Sequence, residues 1–142
     1  MDSSNKMSGN KIRKMKSTSR LYAVQALFQM EHSSLSVDTV CEEFIEFRFG
    51  EADNDLKLVD GNQDFFKNLV SSAVEFQAFI DQMTDRALVE KWPIGRIDPT
   101  LRALFRAAGA EMKALDTPAK VIIAEYLSCL LYTSPSPRDV LR

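Results

Sequence analysis

The chain has 142 residues, of which 45% are hydrophobic and 27% are charged, and its formal net charge is −2. This length and composition fit one globular domain with a real core, and they exclude a chain that is disordered throughout. The five glycines and five prolines are few for an all-β protein. No apolar run approaches the roughly 18 residues that a membrane span requires.

Positive charge is concentrated at the amino terminus. The first twenty residues contain six lysines and arginines against one acid, and the rest of the chain contains twelve bases and nineteen acids. A basic leader on an acidic body predicts a local site for a polyanion. Residues 1–15 are rich in Ser, Asn, Lys and Met, so we interpret them as a mobile basic arm. No apolar stretch follows these charges, which excludes a signal peptide. A leader rich in Ser and Lys also resembles an organelle transit peptide, and the alternative that we predict is a cytoplasmic protein.

Two helices are predicted in the first third of the chain. From about Ser17 to Met30 the polar positions fall on one narrow stripe and nearly all others are apolar, a pattern typical of a helix in the middle of a bundle. Ser36 is the predicted N-cap of the next helix. Apolar residues then recur at helical spacing, namely Val37, Val40, Cys41, Phe44 and Ile45.

The segment Phe47–Gly61 is acidic and irregular, and we interpret it as a solvated loop. Helical spacing beyond it predicts one long helix that carries Phe66, Leu69, Val70, Ala73 and Ile80.

Two further helices begin at clear start signals. Asp98-Pro99 and Thr117-Pro118 each place a capping side chain before a proline at the first helical position. In the first of these helices Gly109 is predicted to permit close approach of a neighbouring helix. The predicted core-facing stripe of that helix is Leu101, Leu104, Phe105, Ala108 and Met112.

The sequence therefore predicts an all-α protein of five or six helices, because no segment alternates convincingly with period two. We assign residues 16–131 to the helical domain. Residues 132–142 contain two Ser-Pro pairs and follow a helix that has no glycine cap and ends in an apolar cluster. We interpret them as a disordered or foreign tail.

Catalytic and metal chemistry find no support in the sequence. His32 is the only histidine, and no phosphate loop or dinucleotide fingerprint is present. The carboxylates are scattered over predicted helix faces and the acidic loop, as on a solvated surface. We therefore predict no enzymatic activity, cofactor, metal or small-molecule substrate. Cys41 and Cys129 are expected to be reduced and buried thiols.

An anion site is predicted where the basic leader meets the first helix. Lys16 and Arg20 lie one helical turn apart and share a face, and we expect both side chains to be exposed. Unpaired N–H groups at the start of a helix add positive field for phosphate. Aromatic side chains that stack on unpaired bases usually accompany such a patch in proteins that bind single-stranded RNA. Phe28 and Tyr22 are the candidates, and core packing is the alternative for each ring.

Four segments of the chain, in this order and spacing, resemble the NusB family of transcription antitermination factors. They are SRLYAVQALFQM at 19–30, DFFKNLV at 64–70, LFRAAGAEM at 104–112 and TPAKVIIAEY at 117–126. The resemblance covers about residues 11–131. It implies an all-helical bundle of two small subdomains, with neither catalysis nor a cofactor.

The resemblance also implies a function. Members of the family bind boxA, a single-stranded RNA, together with NusE, a small-subunit ribosomal protein that doubles as a Nus factor. The complex joins the RNA polymerase elongation complex during ribosomal RNA synthesis and suppresses premature termination. Carried over by position, the arginine-rich leader of the family falls on Lys14, Lys16 and Arg20. The RNA-stacking tyrosine falls on Phe28.

The chain departs from the family pattern at several positions. Ser17 and Thr18 stand where other members have arginines, and Phe28 keeps the aromatic ring but lacks the hydroxyl. Past residue 131 the family continues with a segment that closes the carboxy-terminal bundle and contacts RNA. Residues 132–142 stand in its place here, so we expect the last helices to be missing.

Two other hypotheses stay open on the sequence alone. NusB-like domains also form the amino-terminal module of ribosomal RNA cytosine methyltransferases, although the long basic leader favours the free factor. The chain is alternatively a helical protein-binding module whose arm contacts acidic partners instead of RNA.

Overall fold

The computed structural model describes residues 9–49, 61–88 and 98–133. These residues form six helices and no strand, which confirms the predicted all-α class. The helices are α1 (Gly9–Glu31), α2 (Val37–Phe47), α3 (Gln63–Glu75), α4 (Gln77–Ala87), α5 (Pro99–Ala114) and α6 (Ala119–Thr133).

Helix α1 lies in the middle of the bundle, as its nearly all-round apolar pattern predicts. It packs against α2, α3, α5 and α6. Every residue from Thr18 to Val24 is buried, and Ala26 and Leu27 continue the buried stretch.

Helix α1 begins at Gly9 and not near Ser17, so the prediction of a mobile arm over residues 1–15 is wrong for residues 9–15. Lysine, arginine and methionine favour helices, and no proline interrupts this segment. The hydroxyls of Thr18 and Ser19 each donate to the carbonyl four residues earlier, at 3.1 and 3.0 Å. Residues 1–8 lie outside the described residues.

Two of the three predicted helix starts are confirmed by their caps. The Ser36 hydroxyl accepts a hydrogen bond from the Thr39 N–H at 3.2 Å. An Asp98 carboxylate oxygen accepts from the Thr100 N–H at 2.7 Å, next to Pro99. These side chains satisfy N–H groups that the first turn of a helix leaves without a partner.

The role predicted for Thr117 is wrong. Its hydroxyl donates to a Glu111 carboxylate oxygen at 2.8 Å, and α6 starts two residues later, at Ala119. The Pro118 carbonyl accepts the first helical bond, from the Ile122 N–H at 3.1 Å. A buried carboxylate thus holds the hydroxyl that the sequence pattern assigns to a cap.

The predicted long third helix is divided at Phe76 into α3 and α4. The Phe76 backbone leaves the helical region at φ −103° and ψ 17°, and its ring packs against the core. Beyond this break Ile80 of α4 packs closely against Gly109 of α5. A Cβ atom at position 109 would lie 2.6 Å from Ile80 Cγ2, which confirms that the glycine permits close helix approach.

The core lies where α1, α3 and α5 meet, and Phe66, Leu69, Val70 and Ala73 of α3 are fully buried. Met112 was predicted to face this core but is 49% exposed. The buried face of α5 is instead built from small side chains and one acid: Ala103, Leu104, Ala107, Ala110 and Glu111. The small alanine side chains there let α5 approach its neighbours closely, and Met112 lies outside this buried face.

Phe49 and the two cysteines also belong to the buried core. Phe49 is buried against the rings of Tyr22 and Phe66, so the predicted solvated loop is wrong at that position, and residues 50–60 lie outside the described residues. Cys41 and Cys129 are buried thiols, as predicted.

Helix α6 presents an exposed apolar row. Ile123, Leu127 and Leu131 lie four residues apart and are 56–61% exposed. The helix extends to Thr133, two residues past the predicted boundary, and the rest of the predicted tail, residues 134–142, lies outside the described residues. None of the helices in the described ranges is both long enough and apolar enough to cross a bilayer.

Candidate nucleic-acid interface

Arg20 does not occupy the exposed position that its place in the basic leader predicts. The residue is 5% exposed, and its guanidinium forms two hydrogen bonds to the Glu111 carboxylate. Nε donates to Oε1 at 2.8 Å and Nη2 donates to Oε2 at 2.6 Å. Nη1 lies 3.2 Å from Oε1 of Glu125. This cation is therefore neutralised inside the protein, so it presents little charge to an external phosphate.

Glu111 is the centre of a buried polar cluster. Its carboxylate also accepts the Tyr126 and Thr117 hydroxyls, each at 2.8 Å. Burial disfavours ionisation of this carboxylate, but the hydrogen bonds and charge of Arg20, with the two hydroxyl bonds, hold the pKa of Glu111 below its ordinary value. Burial and the adjacent Glu111 charge raise the pKa of Tyr126 well above its ordinary value.

This cluster was not predicted from the sequence, in which the carboxylates resemble those of a solvated surface. A signal was present. Glu111 falls on the face of α5 that small apolar residues otherwise form, and an acid at a core position requires a buried cation or hydrogen-bond donors.

The first turns of α1 carry the cations that do face solvent. Lys14 is exposed and Lys16 is partly exposed, as the predicted interface requires, and Arg13 is exposed on the same turns. The Lys16 Nζ atom lies 5.4 Å from the centre of the Phe65 ring. One acid lies near this surface, because the Ser17 hydroxyl donates to Glu125 Oε1 at 2.6 Å.

The two candidate stacking rings have different environments. Phe28 is 39% exposed, and its ring lies 4.5 Å from the His32 ring, centre to centre. Tyr22 is 6% exposed and packs in the core, with its ring 5.1 Å from that of Phe49. Phe28 therefore has an accessible aromatic surface, whereas Tyr22 serves packing.

Phe28 lines an open groove of about 710 Å³. Arg48 contributes a cation to this groove, with its guanidinium 4.9 Å from the Phe44 ring centre and Nη1 donating to Gln25 Oε1 at 3.3 Å. The sequence reasoning missed Arg48, which is a lone base within an acidic stretch. The groove residues are Gln25, Phe28, Gln29, His32, Ser33, Phe44, Arg48 and Thr100.

The predicted residues form two regions and not one cluster. Lys14 and Lys16 lie at the amino-terminal end of α1, and Phe28 lies near its carboxy-terminal end. At a rise of 1.5 Å per residue, Lys16 and Phe28 are separated by about 18 Å along the helix axis. The helix between them is mostly buried. A single ligand that touches both regions has to be an extended molecule.

Comparison with known proteins gives consistent matches along the chain. The model of the NusB family matches residues 17–130. A protein of Maricaulis maris named transcription antitermination protein NusB is 42% identical over 115 residues, which cover 80% of this chain and 72% of that protein. A protein of the same name from Brucella abortus strain S19 is 40% identical over 124 residues, covering 85% and 72% respectively.

Proposed function

The chain belongs to the NusB family, and on that premise we propose that it is an antitermination factor that binds boxA-type single-stranded RNA together with NusE. In this proposal it joins the RNA polymerase elongation complex in the cytoplasm during ribosomal RNA synthesis. It acts by binding and not by catalysis. The relatives reported above are named as antitermination proteins, which does not favour the methyltransferase module.

The observation that carries the RNA-binding part is the open groove beside Phe28. Its accessible ring offers a surface on which an unpaired base can stack. The amides of Gln25 and Gln29 line the same groove, and amides can hydrogen-bond to base edges. Arg48 adds a cation for the backbone. Together these groups offer stacking, hydrogen-bonding and cationic contacts to an unpaired strand.

Lys14 and Lys16 supply the electrostatic part of the proposal. Their ammonium groups neutralise phosphates of a strand that extends along the surface from the groove. Arg20 has a different role, since Glu111 already neutralises it: it fixes the basic turns of α1 to α5 and α6. This assignment revises the set expected from the sequence, in which Arg20 contacted RNA.

A binding assay tests the proposal. Fluorescence anisotropy of a labelled boxA RNA should show saturable binding that NusE strengthens. Phe28→Ala should weaken it about tenfold, because loss of one base–aromatic stack costs about 1–3 kcal/mol. Phe28→Tyr should bind as the wild type does. Phe79→Ala removes an exposed ring of α4 and serves as the matched control. Absence of binding in the presence of NusE would reject the proposal.

A further inference from the structure

Phe65 links the basic turns of α1 to the start of α3. Its N–H donates to the Asn62 side chain at 3.0 Å, which fixes the residue in the first turn of the helix. The ring is partly buried and packs against the core. Two cations lie over this ring: Nζ of Lys16 is 5.4 Å from its centre, and Cζ of Arg20 is 5.2 Å away.

The two cations are not equivalent. Glu111 and Glu125 hold the Arg20 guanidinium in a fixed place. Lys16 lies one turn earlier on the same face and is partly exposed. The negative face of the Phe65 ring attracts its ammonium group. A lysine stem has several rotatable bonds, and contact with a fixed ring restricts where its ammonium group points.

We propose that Phe65 is a positioning residue for RNA binding, which holds the Lys16 ammonium at the surface in the place where it meets a phosphate. This inference rests on the proposed function and adds a residue to it. Restricting Lys16 before the RNA arrives lowers the ordering cost of binding. Phe65 itself does not contact the RNA. Its influence passes through Lys16 alone.

A double-mutant cycle tests this dependence with the labelled boxA RNA and NusE. Phe65→Leu preserves an apolar side chain against the core but removes the ring face. We expect it to weaken binding about threefold, the size of an exposed cation–π contact. In a Lys16→Ala background the same change should have no effect. In a Lys14→Ala background it should keep its full effect, and Phe65→Tyr should bind as the wild type does.

Two results would overturn the inference. If Phe65→Leu binds as tightly as the wild type, the ring does not position Lys16. If it weakens binding equally with and without Lys16, the ring acts directly or through the fold. Thermal unfolding of each variant separates a loss of folding from a loss of contact.

A measurement on the wild-type protein without RNA keeps the inference separate from the proposed function. The Phe65 ring current should shift the Lys16 side-chain methylene resonances upfield of ordinary lysine values in the NMR spectrum. Ordinary values would overturn the positioning role whatever the RNA assay gives. Shifted resonances in a protein that ignores boxA RNA would leave the contact in place and reject the proposed function.

Discussion

Arg20 of α1 and Glu111 of α5, 91 positions apart in sequence, form a two-point ion pair inside the bundle. The Glu111 side chain is fully buried, and that of Arg20 is 6% exposed. An ion pair so far from water survives only if hydrogen bonds satisfy the remaining polar atoms. Tyr126 of α6 and Thr117, which precedes α6, provide those bonds, so these two residues, Arg20 and Glu111 form one unit.

Arg20→Ala should destabilise the protein by about 3–5 kcal/mol, because it leaves the Glu111 charge buried without its partner. Urea unfolding followed by circular dichroism measures this change. The matched control is Arg102→Ala, whose ion pair with Glu31 is partly exposed. That change should cost about 1 kcal/mol or less. Equal losses in the two variants would contradict the buried role of Arg20.

Protonation of Glu111 should lower the stability of the folded protein in acid. The pKa of Glu111 is depressed in the folded protein, so the unfolded state takes up its proton first. The contribution of ionised Glu111 to the free energy of unfolding is complete above the unfolded glutamate pKa of about 4.3. It is lost as the pH falls from there through the lower pKa of the folded state. Urea unfolding between about pH 6 and pH 3 should show a steeper acid decline for the wild type than for Glu111→Gln. Parallel declines would refute the assignment.

Gly109→Ala should destabilise the protein by about 1–2 kcal/mol, although alanine is the better helix former. The new Cβ would lie 2.6 Å from Cγ2 of Ile80, a branched side chain that has little freedom to move. In an Ile80→Ala background the clash disappears, and Gly109→Ala should then stabilise the protein by up to about 1 kcal/mol. Thermal and urea unfolding of the four proteins check this reversal. The same sign in both backgrounds would disprove the contact.

The salt dependence of RNA binding should include a part from Lys14 and Lys16 of α1 and none from the buried Arg20. With Lys14 and Lys16 each neutralising a phosphate, they contribute about −1.4 to the slope of log affinity against log salt for a single strand. The double variant Lys14→Ala with Lys16→Ala should lose that part of the slope. Titrations between low and physiological salt measure it. An unchanged slope would show that neither lysine contacts phosphate.

Glu125→Gln should strengthen RNA binding two- to threefold at low salt. This carboxylate lies beside the basic turns of α1, where its charge opposes the approach of phosphate. The gain should fade near physiological salt because such effects are screened. Glu75→Gln at the far end of α3 is the control and should have little effect. Weaker binding by Glu125→Gln would indicate that its support of Ser17 and Arg20 outweighs its charge.

The helices could be predicted from the sequence because their signals are local. Ser36 and Asp98 mark helix starts with caps that need no distant partner. The break at Phe76 could not be predicted in this way, since no glycine or proline announces it. Ile80, four residues after this break, packs against Gly109 of α5, a contact between different helices that no local signal reveals.

In the candidate site, too, local signals predict some residues and contacts between helices decide the others. The exposure of Lys14 and Phe28 follows from their places near the two ends of a central helix. The burial of Arg20 depends on Glu111, which one-dimensional charge patterns do not connect to it. Glu111 itself is the signal in the sequence, because an acid on an otherwise apolar helix face requires a buried partner. Arg48 was not predicted as a site residue because the sequence around it is acidic.

The pairing of Arg20 with Glu111 has a consequence for synthesis on the ribosome. Translation produces α1 before its partners, and the carboxylate that neutralises Arg20 emerges only after most of the chain has been made. Until then Arg20 has no buried partner for its charge, so it favours contact with water although the residues around it are suited to burial. The buried contacts of α1 therefore form only after α5 and α6 have been synthesised. The first helix to be translated is thus among the last to reach its native packing.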